Sequence, residues 1–159
     1  MRRLPLVCLI ISVFRLISGN LLLSKVYLND DIRADEGKVF RVFRHIRLKD
    51  IKQQDTACVF LVSFKFAHLS HSVNKLTSII PMLIIAGTPG FITKIYAVDT
   101  AEGYWQGMYQ WNSVENLNEY KRSLVFRMMN KRAIPGSLSM TEKVNESLFH
   151  FIETHKLKN

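Results

Sequence analysis

The chain has only two cysteines in 159 residues, Cys8 and Cys58, too few for a disulfide framework. A zinc site fares no better. His68 and His71 stand three apart, but they flank Leu69 and Ser70 with no Asp, Glu or Cys beside them, and the sequence there reads as a strand-to-helix turn and cap. No metal is expected. Concentrated charge is also missing. The formal net charge is +9, yet residues 1–50 hold ten Lys or Arg against five acids and residues 51–159 hold twelve against eight. A nucleic-acid binder gathers its cations in one stripe, interleaved with aromatics. The nearest run, Lys121, Arg122, Arg127, Lys131 and Arg132, reads as the solvated face of one helix with cations toward its C-terminus. Nucleic acid is therefore not an expected partner.

A long hydrophobic run is absent too. MRRLPLVCLIISVFRLISGNLLLSK opens with two arginines and an apolar stretch from Leu4 to Phe14, the charge-then-apolar order of a signal or anchor. That stretch is short of the about 20 apolar residues a span needs, and Arg15 interrupts it. Residues 1–24 are expected to be a signal peptide or a membrane-associating helix, with packing on the domain as a third reading. The chain would be secreted or membrane-associated in the first two cases and cytoplasmic in the third. Residues 25–56 mix charge with apolar positions such as Phe40, Val42, Phe43 and Ile46, and read as a linker or N-terminal extension without a catalytic motif.

What is present begins at Ala57, where periodicity becomes legible and a domain over 57–159 is expected. ACVFLVSFKFA is a continuous Val- and Phe-rich run that reads as a buried strand. HSVNKLTSIIPMLIIAGT has helical spacing at Val73, Leu76, Ile79, Ile80, Leu83 and Ile84, with Pro81 placed to kink or restart the helix and Gly87 to stop it. FITKIYAVD and GYWQGMYQW form a hairpin. Asn112 and Ser113 then cap one helix through VENLNEYKRSLVFRMMNKRAI, ended by Pro135 and Gly136. GSLSMTEKV alternates as a strand, and NESLFHFIETHK closes the chain as a short helix or strand.

Strand, helix, strand, strand, helix, strand is the ferredoxin-like βαββαβ plan, an α+β fold with a four-stranded antiparallel sheet. Alternation divides the second hairpin strand into one face with Trp105, Gly107, Tyr109 and Trp111 and another with Tyr104, Gln106, Met108 and Gln110. With both helices on one face, the other needs an apolar cover. A second copy of the chain is expected there, giving a homodimer with its sheets face to face.

The stretch TPGFITKIYAVDTAEGYWQGMYQWNSVENLNEY resembles the dimeric α/β-barrel superfamily, and within it the YdhR-like monooxygenases. The features are Pro89, Gly90 and Phe91 before a strand, Lys94 and Tyr96 within it, and Gly107 and Tyr109 in the next. FLVSFKF and IPGSLSMTEKV resemble the first and last strands of that branch, and the likeness covers roughly residues 57–145. It implies a cofactor-independent monooxygenase-like oxidoreductase acting on a polycyclic phenol or quinone-like molecule held between sheet and helices. Such chemistry needs the substrate as an electron-rich anion with donors near its oxygen. Trp105, Trp111, Tyr96, Tyr109 and His68 are the pocket candidates, in a space of about 300 Å³ or more. Gly107 is expected to leave room for a helix or a ligand, and Phe91 to anchor its strand. Core and interface packing is the competing explanation for each aromatic, and a non-catalytic dimeric ligand-binding or structural module, membrane-tethered through residues 1–24, the competing function.

Overall fold

The computed structural model describes residues 4–34, 37–49, 57–99 and 101–157. In chain order these form α1 (Pro5–Ile17), β1 (Leu21–Leu23), β2 (Asp31–Arg33), β3 (Val39–Leu48), β4 (Cys58–Phe64), α2 (His71–Thr77), α3 (Ile79–Ala86), β5 (Phe91–Val98), β6 (Trp105–Trp111), α4 (Val114–Lys121), α5 (Leu124–Arg132), β7 (Ser139–Val144) and α6 (Leu148–His155). The strands make one antiparallel sheet in the order β1-β3-β5-β6-β4-β7, with β2 pairing the start of β3. Its β7-β4-β6-β5 half is the ferredoxin-like sheet expected from the sequence. The expected four strands become seven because β1, β2 and β3, drawn from residues before 57, extend the β5 edge.

Local chemistry sets the helix boundaries. Pro81 has no N–H and its ring crowds the carbonyl four residues back, so the helical run breaks at Ser78 and restarts with Pro81 in the first turn of α3. The single helix expected after Ser113 is two. Ser113 caps α4 by accepting from the Asn116 N–H, and Ser123 caps α5 by accepting from the Phe126 N–H, so a second serine ends one helix and opens the next. Between β5 and β6, the Asp99 carboxylate accepts from the Ala101 and Glu102 N–H groups and holds the turn.

Two apolar layers sandwich the sheet. On one face Phe60, Tyr96, Trp105, Tyr109 and Trp111 pack against α3, α4 and α5. On the other, Val59, Leu61, Ile95, Ala97 and Met108 pack with Leu148, Phe151 and Ile152 of α6 and with Ile32 of β2. This corrects one expectation. The face read as open is closed within the chain by α6, so a homodimer with its sheets face to face would first have to strip α6 away. Ser147 caps α6, the Gln110 side-chain carbonyl accepts from the Leu148 N–H, and Lys156 pairs with Asp30 at 2.8 Å beyond its end.

No helix among the described residues is long and apolar enough to cross a membrane. Arg2 and Arg3 lie outside the described residues. α1 docks on α3 by its small and polar side: the Ser12 hydroxyl donates to the Leu83 carbonyl, and Arg15 donates to the Ala86 carbonyl at 2.6 Å. These acceptors sit in the last turn of α3, where a cation is favoured. Leu6, Ile10, Phe14 and Ile17 face outward. The approach depends on Gly87, since a Cβ there would lie 1.9 Å from the Cys8 carbonyl oxygen. Gly87→Ala is expected to push α1 off α3 at a cost of about 1–3 kcal/mol. Limited proteolysis should then cleave within residues 4–20 while the sheet stays protected.

Candidate functional site

Between the sheet and helices α3 and α5 lies a cavity of about 160 Å³. Its floor is β5 and β6, and register explains why the two strands can build it. Lys94 stands opposite Tyr109, Tyr96 opposite Gly107, and Val98 opposite Trp105. Gly107 carries no side chain where Tyr96 needs room. A Cβ at Gly107 would also fall 2.7 Å from the Tyr109 ring, so its immediate constraint is that ring, rather than the helix or ligand expected from the sequence. Ile80, Pro81 and Ile84 of α3 form one wall, and Val125, Met128 and Met129 of α5 another. Phe64, Phe66 and Trp105 close one end, with Trp105 edge-on to Phe66 at 4.9 Å and to Phe43 at 5.0 Å between ring centroids.

The distinctive polar group is Lys94. It is 3% exposed, and its Nζ sits 3.9 Å from the Tyr96 ring centroid and 4.2 Å from that of Tyr109. Among the described residues it has no hydrogen bond and no carboxylate partner. Arg44, opposite Tyr96 on β3, lies 5.5 Å from the Tyr96 ring and is tied to the Ser78 hydroxyl and the Lys75 carbonyl at 2.7 and 2.9 Å. Burial first, and the Arg44 charge second, hold the Lys94 amine well below the ordinary lysine range. Among the described residues no Asp or Glu lines the cavity. The Arg44 and Arg132 guanidiniums therefore leave the region electrically positive and suited to an anion, with apolar walls that strengthen any such contact.

The sequence-predicted residues separate into distinct situations. Tyr96, Trp105, Gly107 and Tyr109 line the cavity together. The Tyr96 hydroxyl is buried with no partner among the described residues, and burial raises its pKa well above the tyrosine range. Trp105 instead donates its indole N–H to His71 Nδ1 at 2.9 Å, and Tyr109 accepts from Tyr120 and faces Met129 Sδ at 3.9 Å, so both act as walls. Trp111 is fully buried away from the cavity, stacked on Tyr120 at 4.9 Å and edge-on to Phe91 at 5.9 Å. His68 is exposed outside it, and its carbonyl accepts from the Asn74 amide. Pro89, Gly90 and Phe91 shape the entry to β5. Gly90 takes φ of +74° with Asn112 and Asn116 pressed against its back. Lys94 and Arg44 are the groups the sequence reading did not single out as site residues.

A larger cleft of about 430 Å³ opens on the opposite side of the sheet beside Tyr27, His45, Thr93, Gln110 and Phe149. Three of its polar side chains, His45, Thr93 and Gln110, are already engaged. The His45 ring bridges the Val26 carbonyl and the Thr93 hydroxyl at 2.9 Å each, and Gln110 holds α6. The smaller cavity is the better candidate because apolar side chains surround a buried amine and a buried hydroxyl within it.

No protein-family model and no curated protein matches the sequence. Solved structures do resemble the fold. A monooxygenase-like protein from Listeria innocua superimposes with a TM-score of 0.53 at 12% identity, covering 82% of this chain and 84% of that one. An uncharacterized ferredoxin-fold protein related to antibiotic biosynthesis monooxygenases, from Listeria monocytogenes, does so with a TM-score of 0.53 at 12% identity, covering 86% and 88%. An anthrone oxidase-like protein gives a TM-score of 0.49 at 10% identity over 69% of this chain and 57% of its own. The chain thus has the ferredoxin-like fold of monooxygenase-like proteins, reached by a sequence that shares little with theirs.

Proposed function

We propose that the protein is a monooxygenase-like oxidoreductase that binds a small phenol or hydroquinone as its anion in the cavity beside Lys94. The observation that carries this reading is an amine buried over two phenol rings with no acidic partner. A neutral amine there can take the proton of an incoming phenol, and the resulting ammonium then pairs with the phenolate it has made. The Tyr96 hydroxyl is a further donor for the same oxygen. An electron-rich anion shielded from water can react with dioxygen directly, the substrate itself supplying the electrons, so no cofactor is invoked. A space of 160 Å³ matches about one aromatic ring, since a cavity of about 150 Å³ accepts benzene. That favours single-ring substrates over the polycyclic ones implied by the family resemblance.

Oxygen uptake with a panel of substituted hydroquinones tests the reading. The wild-type chain should accelerate uptake over the uncatalysed rate. Trp105→Ala, which removes the wall between Phe43 and Phe66, should lower kcat/KM by about tenfold or more by loosening the bound ring. Tight binding without oxygen uptake would instead favour a non-catalytic ligand-binding module. One observation supports that second reading: the Trp105 and Tyr109 donors are spent inside the protein and are not offered to a ligand.

A further inference from the structure

We propose that Lys94 also captures carbonyl compounds, condensing with a single-ring aldehyde or ketone to form an imine inside the cavity. Three features of the geometry point to this second reactivity, and none depends on oxygen chemistry. Lys94 lines a cavity with room for about one ring, so an aromatic aldehyde can bring its carbonyl carbon to Nζ. The amine has no carboxylate or hydrogen-bond partner among the described residues, so its lone pair is not engaged by the protein. Arg44 lies 5.5 Å from the same Tyr96 ring that Lys94 touches, placing a fixed cation near the amine. A lysine desolvated in an apolar pocket beside a second cation is the arrangement that makes this side chain a nucleophile near neutral pH, and the downward shift of Lys94 agrees with it.

The step balances within the site. The Nζ lone pair attacks the carbonyl carbon, the carbonyl π electrons move to oxygen, and a proton passes from nitrogen to that oxygen to give a carbinolamine. The Tyr96 hydroxyl, buried and unpartnered, is placed to donate a hydrogen bond to the developing oxyanion. Loss of the second N–H proton and of the hydroxyl group as water forms the C=N bond, with no net oxidation. The apolar lining that includes the buried Ile85 and Val125 favours this dehydration by limiting the water around the carbinolamine.

The test is reductive trapping. The full chain is incubated at neutral pH with benzaldehyde and sodium cyanoborohydride, which converts the imine irreversibly to a benzylated secondary amine, and the label is located by peptide mass mapping. Lys94 is expected to be labelled at least about tenfold faster than any other lysine, because it is the buried one among the described lysines and lines a cavity that can hold the aldehyde beside its amine. The site label should vanish in Lys94→Met and slow in Tyr96→Phe, whose ring retains the packing and loses only the hydroxyl. Labelling of Lys94 no faster than the exposed lysines of the same wild-type sample would overturn the proposal, and that comparison needs no variant to fold. Failure of hydroquinone oxidation together with selective trapping would sink the oxidoreductase reading and leave this one standing. Oxidation without trapping would do the reverse.

Discussion

Lys94→Met will make the protein more stable while abolishing phenol binding. Methionine keeps the length and flexibility of the lysine stem, fills the same space beside Tyr96 and Tyr109, and leaves no polar group to desolvate. An uncompensated buried polar group costs about 1–3 kcal/mol, so the variant should gain about that much in denaturant unfolding at neutral pH. The pH dependence gives an independent signature. A lysine held below its ordinary pKa of 10.5 is neutral in the folded chain where it would be charged in the unfolded one. The unfolded state then binds more protons, so wild-type stability climbs as pH rises from the depressed folded pKa toward 10.5 and is flat below that folded value. The variant should lose this climb. A gain in stability coupled to loss of binding separates a functional lysine from a structural one, because removing a structural lysine would cost stability.

Phe151→Ala will cost about 3–5 kcal/mol, the range for deleting a fully buried phenylalanine. Phe151 is 0% exposed, stacks on His155 at 4.2 Å and anchors α6 over the second sheet face. With α6 loosened, Val59, Leu61, Ile95 and Met108 would meet water, and the chain should self-associate on mild heating in a concentration-dependent way, as read by light scattering. The Lys94 cavity is on the other face, so the folded fraction should bind phenols with unchanged affinity. A cost under about 1 kcal/mol would mean that α6 is a loose appendage and the sheet face is available to a partner.

These two residues also mark where the sequence was informative and where it was not. The faces of the second hairpin strand were legible because WQGMYQW alternates without a break, and Trp105, Tyr109 and Trp111 do share the side covered by α3, α4 and α5. α6 was legible only as a short element, since LFHFIETH carries three core residues in eight and nothing local says which surface they meet. β3 was hidden by its own irregularity. VFRVFRHIRL places Val42 on the α6 side and Phe43 on the helix side, and a bulge between Val42 and Arg44 shifts the alternation midway. With arginines interspersed, the segment shows neither period 2 nor period 3.6.

The same hidden strand decides the setting of Lys94. In a four-stranded sheet β5 is an edge, where a lysine is the ordinary guard against stray pairing. Once β3 pairs along β5, the same lysine is interior, and a surface residue becomes a buried amine over a cavity. The one-helix reading of residues 114–134 failed for a related reason: Ser123 is a good cap, but the helix-forming residues on both sides outweighed it until the chain had to turn around the core.

The central claim is that a neutral Lys94 accepts the proton of a phenol bound in this cavity, and a chromogenic phenol reads that transfer directly. 4-Nitrophenol is titrated with the protein at a pH below its own pKa, where the free compound is almost colourless and its anion yellow. The account predicts that the phenolate band grows with protein concentration to a single-site plateau, and that Lys94→Met, folded and more stable, produces none of it. Binding of the phenol in its protonated form, or a phenolate band equally strong in Lys94→Met, would contradict it.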